Sequence, residues 1–520
     1  MCTELSRKGA LRRGYRGSCN SADSDFVTLA AAAPSLTPLA PSATPGRLAI
    51  PERVGGLLKA TMTALAQRRW GEGIELTAAA AVQDIQQEAM TFLAGAAGAG
   101  ILGELYEQAF RGAADSGTGA AAGAAWLRGP GVSPRHARAG SGPLRVLYVT
   151  PGLSDGQAAT DRLIHVVEQH DRSRVMPLVL STEEFTARTP PLKFLEWPSV
   201  PADRRGPLIE RLSRAGVEPV IAPTVGGFLP SSTWATAAAR QLAPDVAVFI
   251  ASSACPVQAG MALARVAPVQ LNQNIGTPLV IRGIDGVIYR NLERAAADRS
   301  DLSRRGIRTI ELPAAGTDLG AAERATPVPR HGLRIPPNAP VLASASNKLP
   351  QRLMLGGFAD DLIAFLASHP GTWWMGVGDG DFSAFVARCR DAGVASRIAL
   401  VGGQADIRPY LKACDLYVNE YPEGGSNSVM EAMACGVPVV AMDAGPGHCE
   451  SIGAQICGEA IGRGETGVYW QRVAMLCEDR DARAAAAARA KARATEKFGF
   501  AALVRQYETC YQSEWERAGA

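Results

Sequence analysis

The chain has 520 residues, 47% of them apolar and 20% charged, with a mean hydropathy of +0.01, so it is long enough for two or three domains that each bury a core. A formal charge of +3 over this length gives no electrostatic reason to expect nucleic acid as the partner. The 10 cysteines form no CxxC pair and no His/Cys cluster at zinc spacing, and several sit in apolar segments (Cys414, Cys435, Cys477) as small hydrophobes, which predicts a reducing, cytoplasmic compartment.

In chain order, residues 1–50 pass through "AAAPSLTPLAPSATP", a tract that cannot bury enough surface to order itself, and are expected to be a disordered tail. The first twenty residues carry arginines but no apolar h-region, so they do not read as a secretory signal. Over 51–112 the apolar residues recur at helical spacing ("VGGLLKATMTALAQRRW", "ILGELYEQAF"), which predicts a small helical module. Within it, "AMTFLAGAAGAGILG" is too short and too glycine-rich to cross a bilayer, which takes roughly 20 apolar residues, and is read as a packed helix. Residues 113–142, dominated by Gly, Ala and Pro, read as a linker.

The texture then changes to short β-branched runs alternating with helices. Strands are expected at 144–150, 176–181, 218–223, 245–251, 268–273 and 286–290, in a first domain spanning 143–325. The pattern restarts at 339–346, 372–378, 397–402, 415–420 and 438–443, in a second domain spanning 326–485. A charged helical stretch, 486–520, is long enough to run back over the first domain. Continuous apolar strands separated by helices predict an α/β protein with two doubly wound, Rossmann-like parallel sheets. Two such domains leave a cleft at the carboxyl ends of their strands, where open α/β sheets bind ligands.

The segment "YPEGGSNSVMEAMACGVPVV" follows the expected strand 415–420. Gly424 and Gly425 allow close backbone approach to a ligand, and a helix starting at Ser426 or Ser428 would aim its N–H groups and positive dipole end at a phosphate. A carboxylate at Glu423 would repel phosphate alone, but it suits a ligand with hydroxyls beside its phosphates, because carboxylates are strong acceptors for sugar hydroxyls. A nucleotide sugar has both, with Glu423 at the transferring sugar, Gly424 to Ser428 at the diphosphate and Glu431 at the ribose diol. For Glu431 a second reading stands beside this one: Ser428-Val429-Met430-Glu431 fits a capping box, in which the glutamate only satisfies the helix start.

Glu423, seven residues, Glu431 and then "AMACGVPVVA" resemble the E-x7-E signature of retaining GT-B glycosyltransferases, the group of sucrose and glycogen synthases and family 4 enzymes. The likeness runs from about residue 143 to 515, through "WWMGVGDG" and "RIALVGGQADIRPYLKACDLYVN". It implies a GT-B fold and sugar transfer from a nucleotide diphosphate sugar to an acceptor hydroxyl with retention. Lys348 would neutralise the donor diphosphate, with Arg352 one turn on in place of the family's second basic residue. Gly403 would lie in the base-contacting loop, Asn427 among the donor-binding residues, and Gly156 in the glycine loop facing the donor, unless that loop is only a helix N-cap turn. In the first domain "APVQLNQNIGTPLVIRGIDGVIYR" is similar to O-GlcNAc-transferase-like enzymes, but Gly276-Thr277-Pro278 lacks their histidine. Asp379-Gly380-Asp381 lies in the turn after an expected strand and is not read as a metal motif, so neither metal nor other cofactor is expected.

The remaining candidates have plainer readings: His165 as a packed or surface histidine, His448 as a loop residue, Asp379 as a turn former and Trp373-Trp374 as sheet core. Two rivals share the architecture, a non-hydrolysing nucleotide-sugar epimerase and an inactive GT-B-like partner subunit. The acceptor is open among glycan, lipid-linked glycan, protein and small molecule. So are peripheral membrane association and oligomerisation through the helical module.

Overall fold

The computed structural model describes residues 52–86, 96–115, 142–153, 158–184, 205–223, 227–274, 277–290, 292–312, 316–346, 348–422, 424–443 and 453–519. The expected tail and nearly all of the expected linker lie outside them.

The first sheet has seven parallel strands: β1 (Leu144–Thr150), β2 (Val175–Ser181), β3 (Val220–Ile221), β4 (Val246–Ala251), β5 (Val269–Asn274), β6 (Gly286–Tyr289) and β7 (Arg308–Glu311). Their order is β3-β2-β1-β4-β5-β6-β7. The central β4, Val-Ala-Val-Phe-Ile-Ala, is buried at every position, as a strand covered on both faces must be. β7 has no counterpart among the expected strands. It is an edge strand, Arg-Thr-Ile-Glu, only partly covered, so it carries neither an apolar run nor a clean alternation.

The second sheet has five: β8 (Val341–Ala345), β9 (Trp373–Val377), β10 (Ile398–Gly402), β11 (Leu416–Val418) and β12 (Val439–Val440), in the order β10-β9-β8-β11-β12. Trp374 is fully buried and its Nε1 donates to Ser344 Oγ at 3.2 Å, which places this tryptophan in the sheet core. In each sheet the winding reverses beside the first strand, between β1 and β4 and between β8 and β11. The loops that follow β8 and β11 therefore flank the switch point of the second domain, where a ligand crevice is expected.

The N-terminal helices Glu52–Ala66, Trp70–Gln86 and Ala96–Asp115 are not a free-standing module. Leu58, Leu65, Ile74, Leu102, Tyr106 and Phe110 share one core with Leu147, Phe249, Met261 and Val280 of the first domain. The glycines of the third helix serve this contact: a β-carbon on Gly103 would collide with the Val280 carbonyl. Polar ties reinforce it, with Tyr106 donating to the Ser253 carbonyl (3.1 Å) and Ala96 N to Asp298 Oδ1 (3.0 Å). Among the described residues no helix is long and apolar enough to cross a membrane.

At the other end, the helix Arg480–Lys497 gives Ala486 and Ala494 to the cores of the second domain. The chain crosses over at Phe498–Gly499, where Thr317 N of the outgoing connector donates to the Phe498 carbonyl (2.7 Å). The helix Phe500–Gly519 then covers the first sheet with Leu503, Val504, Tyr507 and Tyr511. Its buried Glu508 accepts from His170 Nδ1 (3.0 Å), Asp171 N (2.9 Å) and Arg174 Nη1 (3.2 Å). The return to the first domain thus begins after Phe498 rather than at residue 486, because alanines on a charged helix still form a buried stripe.

Candidate active site

After β11 the chain turns through Asn419 and Glu420 into the glycine pair and then the helix Asn427–Ala434. Gly425 N donates to Asn419 Oδ1 at 2.8 Å. A β-carbon on Gly424 would collide with Asn419, and one on Gly425 with Ser428 Oγ, so the tight turn is built for glycine. Ser426 is the N-cap and its side chain does not bond into the first turn. That leaves Asn427 and Ser428 in the turn whose N–H groups have no partner within the helix.

The capping-box reading of Glu431 is overturned: Ser428 lies inside the helix, with its Oγ 2.8 Å from the Tyr417 hydroxyl. Glu431 instead approaches Arg408 Nη2 at 3.7 Å and is a quarter exposed. Burial pushes its pKa up to about 7; Arg408 pulls it down while Asp161, from the first domain, and Asp406 push it further up. Glu431 therefore faces the space between the domains.

The loop after β8 supplies the cations. Lys348 is exposed, at the N-cap of the short helix Leu349–Leu353, with its backbone N donating to Ser346 Oγ at 3.0 Å. Arg352 is the cation that reaches the glycine turn. Its Nη1 donates to Ser346 Oγ (3.0 Å) and lies 3.7 Å from where a β-carbon of Gly425 would stand. Beneath it lies Glu420, a residue the sequence reading missed. Glu420 is 1% exposed, neither oxygen accepts a hydrogen bond, and Oε2 is 4.0 Å from Arg352 Nη1. Burial pushes its pKa up to about 7, against the pull of Arg352. The signal was present: three buried apolar residues of a central strand run into a carboxylate at the strand's carboxyl end.

Gly403 sits at the rim. Its N–H donates to Asp379 Oδ1 at 2.6 Å, leaving no room for a side chain, so Asp379 does more than form a turn: it ties the loop after β9 to the loop after β10. His165 is packed on the Phe500 ring (centroids 4.3 Å apart), with Nδ1 2.9 Å from Arg211 Nη2 and Nε2 3.8 Å from Asp318 Oδ2. Glu423, Gly156, Gly276 and His448 lie outside the described residues. Among those described, no group of three or more His, Cys, Asp or Glu side chains is placed to hold a metal ion.

Glu420, Glu431 and Glu184, a first-domain carboxyl held up to about 7 by burial, all retain their protons to higher pH when folded than the ordinary value of 4.5. The folded state then binds more protons than the unfolded one between pH 4.5 and 7, so the stability these groups contribute is complete below that window and is lost as pH rises through it. We expect Glu420→Gln, which fixes the neutral form, to shrink the fall in unfolding free energy between pH 5 and 8 by about 1–3 kcal/mol. Urea titrations at the two pH values measure it, and equal falls in both proteins would contradict the assignment.

Two doubly wound parallel domains joined by a connector, with the last helix returned to the first, make a GT-B fold. Residues 358–492 match the family described as glycosyl transferases group 1. The lipopolysaccharide core biosynthesis mannosyltransferase LpsB of Rhizobium meliloti is 32% identical over 164 residues, 30% of this chain and 47% of that protein. The lipopolysaccharide core biosynthesis glycosyltransferase LpsE of the same organism is 33% identical over 144 residues, 27% of this chain and 39% of that protein. The chain thus spans less than half the length of these curated relatives. Among solved structures, a mutant Thermobaculum terrenum O-GlcNAc transferase superposes with a TM-score of 0.52 at 16% identity, covering 90% of this chain and 91% of that one. Anabaena Alr3699/HepE, in complex with UDP and glucose, gives 0.52 at 21% identity, covering 71% of this chain and all of that one.

Proposed function

We propose that the protein is a glycosyltransferase that moves a sugar from a nucleoside diphosphate sugar to an acceptor hydroxyl, with retention at the anomeric carbon. The observation that carries this reading is the meeting, at the switch point of the second sheet, of the Gly424-Gly425 turn, the N-terminus of the helix Asn427–Ala434 and the Arg352 guanidinium. The turn and the helix offer oriented N–H groups, and the guanidinium offers a fixed fork of donors for phosphate oxygens. The matched family, the transferase names of the relatives and the UDP complex of the HepE neighbour support it.

In this reading Arg352, Lys348 and the amides of Gly424 to Ser428 stabilise negative charge growing on the leaving diphosphate. Glu431 holds the ribose diol. Glu423 orients the donor sugar and stabilises an oxocarbenium-like transition state, and the leaving phosphate oxygen takes the acceptor's proton, so no separate base acts. The reaction proceeds without metal, in the cytoplasm, with a uridine nucleotide as carrier.

A panel of nucleotide sugars in thermal shift tests the reading. A donor at 100 times its Kd stabilises the fold by about 2.7 kcal/mol. UDP-sugars are expected to raise the melting temperature by several degrees where the free sugars do not. A panel that shifts nothing, or an epimer formed from the donor alone, would sink the proposal.

A further inference from the structure

Between the domains, beside the crossover, lies a cavity of about 360 Å³, within the range of roughly 300–1,000 Å³ usual for small-ligand pockets. Arg290 enters its wall from the end of β6, Gln506 from the returning helix, Arg493 and Lys497 from the helix before the crossover, and Gln455 from the helix Gly453–Cys457. Among the described residues of the lining, Glu496 is the one carboxylate against these three cations. Arg493 is anchored by its own bonds to the carbonyls of Ile456 (2.6 Å) and Gln455 (3.0 Å), so its charge is fixed in place.

A cavity faced by three cations and one carboxylate carries net positive charge, which an anionic group with oxygens to accept from the guanidinium and ammonium donors would match. The cavity also adjoins the glycine turn. Gly453, two residues before Gln455, packs so closely on the Gly425 carbonyl and Asn419 that a β-carbon would not fit.

We infer that this cavity is an anion site, and that it takes a phosphate or carboxylate group of the sugar acceptor, with Arg290, Arg493 and Lys497 supplying the charge. Assigning the anion to the acceptor rests on the transferase reading; the site itself does not. The ligand class is an anionic saccharide rather than a neutral one. It would place the acceptor's charged group against the first domain while its hydroxyl faces the donor across the cleft.

Calorimetric titration of the full chain, with and without saturating UDP, tests this with glucose 6-phosphate, glucuronate and glucose as probes. The expected result is saturable binding of an anionic probe in the presence of UDP, no binding of glucose, and an affinity at least tenfold weaker in Arg290→Gln and several-fold weaker in Lys497→Ala. Lys497 is exposed, so its variant keeps the test open if replacement of Arg290 disturbs folding. Phosphate and carboxylate probes separate the two chemistries. Binding that UDP abolishes, binding that both variants retain in full, or no binding of either anion overturns the inference. If UDP itself does not bind while the anion still depends on Arg290, the transferase reading falls and the anion site stands.

Discussion

Glu423→Ala is expected to lower turnover by about 10²–10³-fold, the scale of removing one electrostatic stabiliser of a transition state, while the donor dissociation constant moves by only a few-fold. In the sequence Glu423 stands between Pro422 and Gly424, next to the glycine pair, and a carboxylate there is unfavourable for diphosphate binding alone. Its use is therefore confined to the moment when positive charge develops on the sugar. Steady-state kinetics give kcat, and calorimetry with the intact donor gives the dissociation constant. Equal losses in binding and turnover would reduce Glu423 to a binding residue, and unchanged turnover would remove it from the mechanism.

Arg352→Met is expected to lower kcat/KM for the donor by about 100-fold, or close to 3 kcal/mol, as for loss of a hydrogen bond between charged groups at a reacting phosphate. A second consequence separates this from a general loss of structure. Without the guanidinium 4.0 Å away, Glu420 loses the opposite charge that works against its burial and takes up a proton more readily. The variant's melting temperature should consequently fall more steeply with rising pH than that of the parent. Adding Glu420→Gln should restore the melting temperature at pH 8 and leave the catalytic loss in place. Recovery of turnover in the double variant would show that Arg352 acts only as the partner of Glu420.

The sequence carried the architecture wherever burial is symmetrical. β1, β4 and β8 are covered on both faces, so their apolar runs are continuous and their limits close to those expected. At the edges the same reasoning fails: β7 is polar and half-covered, and β3 and β12 keep only two paired residues each because little lies beyond them to pair with. Helical spacing found the N-terminal helices, but periodicity does not say which surface an apolar stripe meets, and the close approach of Gly103 to Val280 is a property of two distant segments.

The site divides in the same way. Gly424, Gly425, Ser426, Asn427 and Ser428 are contiguous, and spacing placed them together at a helix start. The contact between Arg352 and Glu420 joins loops after two different strands, and only the sheet order β8-β11 makes them neighbours. For Glu431 the local pattern matched a cap, and the register of the helix, beginning one residue before Ser428, decided against it.

The returning helix Phe500–Gly519 has a bearing on how the protein is made. The first sheet starts at Leu144, yet the helix that covers one of its faces is not available until residues 500–519 have left the ribosome. At about 5–20 residues per second that is a delay on the order of tens of seconds, during which the second domain can complete its own core. Val146, Tyr148, Val248 and Leu271 would meanwhile have only the cover of the domain's own earlier helices, with Ile164, Val167 and Leu212, and lack that of Leu503, Val504, Tyr507 and Tyr511. The domain translated first is the one that finishes folding last, and in that interval it is the natural client of a chaperone.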